Sequence, residues 1–136
     1  MRHREVLIID DDETTRHLLE SMLSRSGLTV LCATDGDDAL DLLNLHDVDV
    51  ILLDLMMPRC DGGAFLERLT AQRPALVSRV IICSATGSRS FAIGAHHIWA
   101  ELEKPLQMNQ LTDTILNCIA AETQTVTARP ALHPFF

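Results

Sequence analysis

The sequence predicts an α/β fold, a doubly wound parallel sheet of five strands covered by helices on both faces. Two observations carry this. The apolar runs Glu5–Ile9, Asp49–Asp54 and Arg79–Cys83 are continuous, bounded by polar residues and too short for buried helices, which is how strands buried on both faces read. The segments between them instead repeat apolar residues at three- and four-residue spacing, and strands alternating with helices at this pitch require crossover connections and hence parallel pairing.

In chain order, the first strand Glu5–Ile9 ends in Asp10-Asp11-Asp12-Glu13. From Thr14 the period becomes helical through Leu18, Leu19, Met22 and Leu23, with Gly27 as C-cap and Asp12 placed as the N-terminal cap. Residues 28–33 suit a strand, and Asp35-Gly36 turns the chain into a helix bearing Ala39, Leu40, Leu42 and Leu43 that ends near His46. The third strand ends at Asp54. Pro58 then disfavours helix, Asp61-Gly62-Gly63 turns, and a helix marked by Phe65, Leu66 and Leu69 must stop before Pro74. The fourth strand, Arg79–Cys83, is followed by Ser84. Residues 88–97, with weak periodicity and an internal Gly94, are read as the next helix, and Ile98–Leu102 as the fifth strand. Met108, Leu111, Ile115 and Ile119 form the last helical face. Periodicity ends near Glu122, which divides the chain into a domain over 1–121 and a linker or tail over 122–136.

A chain of 136 residues, 47% of them hydrophobic, is one globular domain with a real core. No apolar run approaches a membrane span, and the first residues lead straight into a strand, so a cytoplasmic location is expected. Eleven basic against nineteen acidic residues give a net charge of −8. Direct nucleic-acid binding is disfavoured, because neutralising phosphates needs clustered Lys and Arg. The four cysteines, at 32, 60, 83 and 118, have no metal-ligand spacing and read as reduced thiols used as small hydrophobes. The six histidines show no ligand spacing either.

Polar groups stand after four strands: Asp10 and Asp11, Asp54, Ser84, and Lys104. Parallel strands bring all of them to one edge of the sheet, the edge at which ligands bind in open α/β folds. Three neighbouring carboxylates repel one another unless a cation joins them, and a hard divalent ion such as Mg²⁺ suits oxygen ligands where phosphate is handled. A lysine and a hydroxyl beside that ion complete a phosphoryl-transfer site.

The ordered set VLIIDDDE, DLMMPxxDG, a Ser-Ala pair closing a strand, and KP resembles the receiver domain of two-component response regulators over residues 4–121. The resemblance implies a (βα)5 flavodoxin-like receiver fold. It also implies Asp54 as phosphoacceptor, Asp11 as direct Mg²⁺ ligand, Asp10 acting mostly through water, and the Met56 main-chain carbonyl as a further ligand. Ser84 takes the position of the hydroxyl that bonds the phosphoryl group, and Lys104 that of its ion-pair partner. The implied partner is a sensor histidine kinase or phosphotransfer protein, with no turnover substrate. The 136 residues hold no helix-turn-helix, so output is expected through protein contacts or a region outside them.

Residues 8–14 also fit the nucleophile motif of the haloacid dehalogenase phosphohydrolases, with Asp10 as nucleophile. That reading lacks a later acidic pair and leaves Asp54 unexplained. A phosphorylation-independent interaction module is disfavoured because every site residue is present, and a flavin binder because acids in the first loop repel the cofactor phosphate. The stretch Ala100–Pro105 resembles receivers coupled to cyclic-dinucleotide phosphodiesterase modules. Where the resembled receivers commonly carry an aromatic, three residues before the lysine, stands Glu101. Trp99, two residues earlier, is expected on the same strand and face and is a candidate for the coupling role.

Overall fold

The computed structural model describes residues 4–55, 62–84 and 97–132, with the backbone alone from 122 onwards. Its elements run β1 Glu5–Ile9, α1 Glu13–Arg25, β2 Thr29–Ala33, α2 Gly36–Leu45, β3 Val50–Asp54, α3 Gly62–Gln72, α4 Pro74–Val77, β4 Val80–Ser84, β5 Ala100–Glu103 and α5 Met108–Leu132. The five strands form one sheet in the order β2-β1-β3-β4-β5, with every pair parallel. The order reverses at β1, so the carboxyl ends of β1 and β3 flank the crevice in which such sheets bind ligands.

Alternation along each strand sorts the core into two layers. Leu7, Ile9, Ile51 and Leu53 face α2, α3 and α4 through Leu40, Leu43, Phe65 and Leu69. Val6, Ile8, Val50 and Leu52 face α1 and α5 through Leu23, Leu111 and Ile115. The continuous apolar runs in β1, β3 and β4 follow directly, since both faces of these strands are covered.

Local signals fix the helix ends. Asp12 caps α1 by accepting the Thr15 N–H at 3.1 Å. At the other end Gly27 adopts φ 86°, and its N–H and that of Leu28 bond the carbonyls of Ser24 and Leu23 at 3.1 and 3.3 Å. This is a Schellman ending, open to glycine because a side chain is strained at that angle. The amino ends of the strands are tied by side chains as well as by backbone. The Asp49 carboxylate accepts the Glu5 N–H at 2.9 Å, Arg79 donates to the Val48 carbonyl at 3.1 Å, and Arg73 donates to that of Leu43 at 3.3 Å.

Three features depart from the sequence reading. One turn, α4, follows Pro74, which opens it as the first helical residue and lets Leu76 and Val77 bury against the sheet. β5 spans Ala100–Glu103 rather than Ile98–Leu102. Trp99 therefore precedes the strand, although its N–H already bonds the Val80 carbonyl at 2.8 Å. Third, α5 runs to Leu132, so the helix continues past Glu122, where the sequence pattern loses its period. Up to residue 121 the helix buries Leu111, Ile115, Cys118 and Ile119 against the sheet, and once a helix is formed each further residue adds a hydrogen bond at small entropic cost. The helix expected over 88–97 lies mostly outside the described residues.

Among the described residues no helix is long and apolar enough to cross a membrane. Cys83 and Cys118 are buried and Cys32 partly so, all as free thiols. Burial pushes the Cys83 thiol up to about 12, and burial with the Glu20 carboxylate pushes Cys32 up to about 11. Both stay protonated at pH 8 and are poor nucleophiles. In a Cys60→Ser variant, which removes the cysteine outside the described residues, iodoacetamide at pH 8 should label Cys32 and Cys83 only after unfolding. Mass spectrometry of native and denatured samples checks this, and rapid native labelling of Cys83 would contradict its placement.

Candidate phosphoryl-transfer site

Asp10 immediately follows β1, and its N–H reaches the Ala33 carbonyl at 3.1 Å, which continues the β1–β2 ladder and fixes its backbone. Its side chain is 3% exposed and accepts the Asp12 N–H at 2.9 Å. Arg16, from α1, donates to the Asp10 carbonyl at 2.8 Å. Burial raises the Asp10 carboxyl above its ordinary pKa, and the Asp54 carboxylate pushes the same way. The Asp12 N–H and Lys104 oppose them.

Asp54 is the last residue of β3, 6% exposed, and pairs in register with Cys83. Lys104, just past β5, places Nζ 3.2 Å from Asp54 Oδ1. Its own N–H is bound to the Ser84 carbonyl at 2.7 Å, so the lysine backbone is held to the end of β4. Asp10, Asp11 and Asp54 each offer a carboxylate oxygen, and these oxygens lie within 4.8 Å of one another. Three oxygen donors that close, one of them buried and raised in pKa, fit a hard divalent cation. Asp10, Asp54, Cys83 and Lys104 line one small pocket with Thr15 and Leu106.

Ser84 is buried at the end of β4, but it is not among the described residues lining that pocket. Its hydroxyl donates to Glu101 Oε1 at 3.2 Å. The sequence reading did not foresee this bond; its one visible signal was a glutamate at the position of the fifth strand where an aromatic was expected. Met56 lies outside the described residues. Trp99 is 39% exposed, so its indole is partly in solvent at the start of β5.

Gly62 sets the distance between α3 and the acidic edge. A Cβ there would stand 2.9 Å from Leu55 Cδ2, 3.1 Å from Leu55 Cα and 3.3 Å from the Asp54 carbonyl oxygen. The leucine methyl can turn away, but the two backbone contacts require α3 or the end of β3 to give by a few tenths of an ångström in Gly62→Ala. A loss of about 1–3 kcal/mol is expected, the usual range for overpacking. A urea midpoint unchanged from wild type would contradict this close approach.

A family model described as the response regulator receiver domain matches residues 6–116. The chain belongs to the response regulator receiver domain family. Receiver relatives include the Regulator of RpoS of Escherichia coli (strain K12), 32% identical over 120 residues, which cover 85% of this chain and 35% of that protein. Another is the transcriptional regulatory protein CpxR of the same strain, 34% identical over 113 residues, 82% of this chain and 47% of the relative. The chain thus spans about a third to a half of the length of these relatives. Among solved structures, the receiver domain of the Francisella response regulator 1452 superposes with a TM-score of 0.77 at 28% identity, covering 88% of this chain and 99% of that one. The fold and the receiver assignment of the sequence reading are thereby established, and the phosphohydrolase reading, which left Asp54 idle, falls away.

Proposed function

We propose that this receiver accepts a phosphoryl group on Asp54 from a sensor histidine kinase or phosphotransfer protein, in a Mg²⁺-dependent step, and later loses it to water. The observation that carries this is the cluster of Asp10, Asp11 and Asp54 within 4.8 Å, with Lys104 at 3.2 Å from Asp54. A carboxylate oxygen of Asp54 attacks phosphorus, and the bond from phosphorus to the donor nitrogen or oxygen breaks with its electron pair leaving on the donor. Lys104 meets the charge on the phosphoryl oxygens, and Ser84 gives them a hydroxyl donor. Asp10, Asp11, Asp54 and the Met56 carbonyl would hold Mg²⁺, which supplies charge neutralisation when bound. Hydrolysis of the acyl phosphate restores the carboxylate, so the chain catalyses only its own modification.

The setting we assign is the cytoplasm, with the receiver over 1–121 and the remainder as a connection to an output that the two relatives, named for different regulatory roles, do not define. Labelling with acetyl phosphate and Mg²⁺, followed by borohydride reduction and peptide mapping, tests the acceptor. Reduction should convert residue 54 to homoserine. Label at Asp10, or acid-stable phosphate on Ser84, would overturn the reading.

A further inference from the structure

We infer that Glu101 is a positioning residue that holds the Ser84 hydroxyl away from the acidic pocket until a phosphoryl group competes for it. The inference rests on the receiver reading of the site. Ser84 is 1% exposed, and a hydroxyl so buried requires a partner; it donates to Glu101 Oε1 at 3.2 Å. The strand geometry gives this contact a direction. Asp54 pairs with Cys83, and both Cys83 and Asp54 line the pocket. Ser84 is the next residue, so strand alternation turns its side chain to the other face of the sheet, with Ile82 and the α2–α3 layer. Glu101 stands in register with Ile82, two residues before the register partner of Ser84, Glu103, and so projects to that same face. The carboxylate is a stronger acceptor than a neutral oxygen, and it lies on β5, the strand that leads directly to Lys104.

For Ser84 to reach a phosphoryl group on Asp54, this bond must break and the end of β4 must rotate its hydroxyl across the sheet edge. Glu101 therefore opposes occupancy of the phosphorylated form. It also links loading of Asp54 to release of an exposed carboxylate on β5, which gives the site a connection to the surface independent of Trp99.

The test is a thermodynamic cycle on the full chain, with half-saturation by trifluoroberyllate measured through the bound ¹⁹F NMR signal at fixed Mg²⁺. Glu101→Ala should tighten binding by about fivefold, equivalent to roughly 1 kcal/mol for one net hydrogen bond. Glu101→Gln, whose amide oxygen can still accept, should tighten it less. In a Ser84→Ala background Glu101→Ala should change nothing, because the hydroxyl it would release is gone. No tightening in Glu101→Ala overturns the inference. Equal tightening with and without Ser84 also overturns it, since a carboxylate that merely repels the anion acts whether or not the hydroxyl is present. A wild-type chain that binds no trifluoroberyllate, or binds it equally well as Asp54→Asn, overturns the receiver reading of the site as well, whereas a failed cycle on a chain that binds it leaves that reading intact.

Discussion

Asp54→Asn should take up no phosphoryl group under conditions in which wild type takes up one, and Lys104→Ala should slow uptake by roughly 10²-fold. The two substitutions remove different things. Asn at 54 offers an amide, which is no nucleophile toward phosphorus, while the fold and the acidic neighbours remain. Alanine at 104 keeps the Asp54 carboxylate but removes the ammonium 3.2 Å from it, which in the proposed transfer meets the growing charge. Loss of one such preorganised donor costs about 10²–10³ in rate in well-studied sites. Quench-flow or filter-binding with labelled acetyl phosphate measures both. Persistent stoichiometric labelling of Asp54→Asn would remove Asp54 as acceptor. A Lys104→Ala rate within twofold of wild type would reduce the lysine to an ordinary ion-pair partner.

The second large effect is expected from Mg²⁺ on the unmodified domain. Asp10, Asp11 and Asp54 crowd one edge, and a cation that binds the folded chain alone stabilises it by roughly 2.7 kcal/mol at 100 times its dissociation constant. For a domain of this size that is a rise in Tm of about 8–10 °C. Asp11→Ala should abolish the rise. The pH dependence has a definite sign. The folded-state pKa of Asp10 lies above the ordinary 3.8, first because the group is buried. Its contribution to stability is therefore fully present below that ordinary value and is lost as pH rises through the folded pKa. Without Mg²⁺, Asp10→Asn should accordingly raise Tm at pH 7.5. The Mg²⁺ increment in wild type should be larger at pH 7.5 than at pH 4.5, because ligands must be deprotonated to bind. Differential scanning calorimetry decides both, and a Mg²⁺ response untouched by Asp11→Ala would place the ion elsewhere.

Much of this architecture was legible in the sequence because it is written locally. The apolar runs of β1, β3 and β4 declare burial on both faces, and Gly27 and Asp12 declare the ends of α1, each through chemistry confined to a few neighbouring residues. Asp10, Asp54 and Lys104 could be placed together because parallel strands must finish at one edge. The unread features depend on relations that a linear pattern does not carry. The turn of α4 is too short to show a period, and the start of β5 is set by its pairing with β4. The Ser84–Glu101 bond joins residues seventeen apart whose meeting requires knowing which strand lies beside which. The length of α5 was hidden because the apolar period on which the reading relied fades near Glu122, while the backbone of the helix runs to Leu132.

The ties at the amino ends of the strands have a dynamic consequence. Asp49 closes the start of β1, Arg79 grips the approach to β3, and Arg73 fastens the end of α2, so the edge away from the acidic pocket is cross-linked by side chains between segments distant in sequence. At the pocket edge, the groups that hold neighbouring strands together include the carboxylate of Asp54, the ammonium of Lys104 and the hydroxyl of Ser84, which the proposed phosphoryl transfer would rearrange. Opening should accordingly be cheaper at that edge, with amide exchange slow at Val50 and Val80 and progressively faster toward Asp54 and Ser84 along the same strands. Such a gradient makes the sheet a lever with one clamped end. A small rearrangement at Asp54 is then expected to be felt at the strand tips, while the clamped ends hold their register.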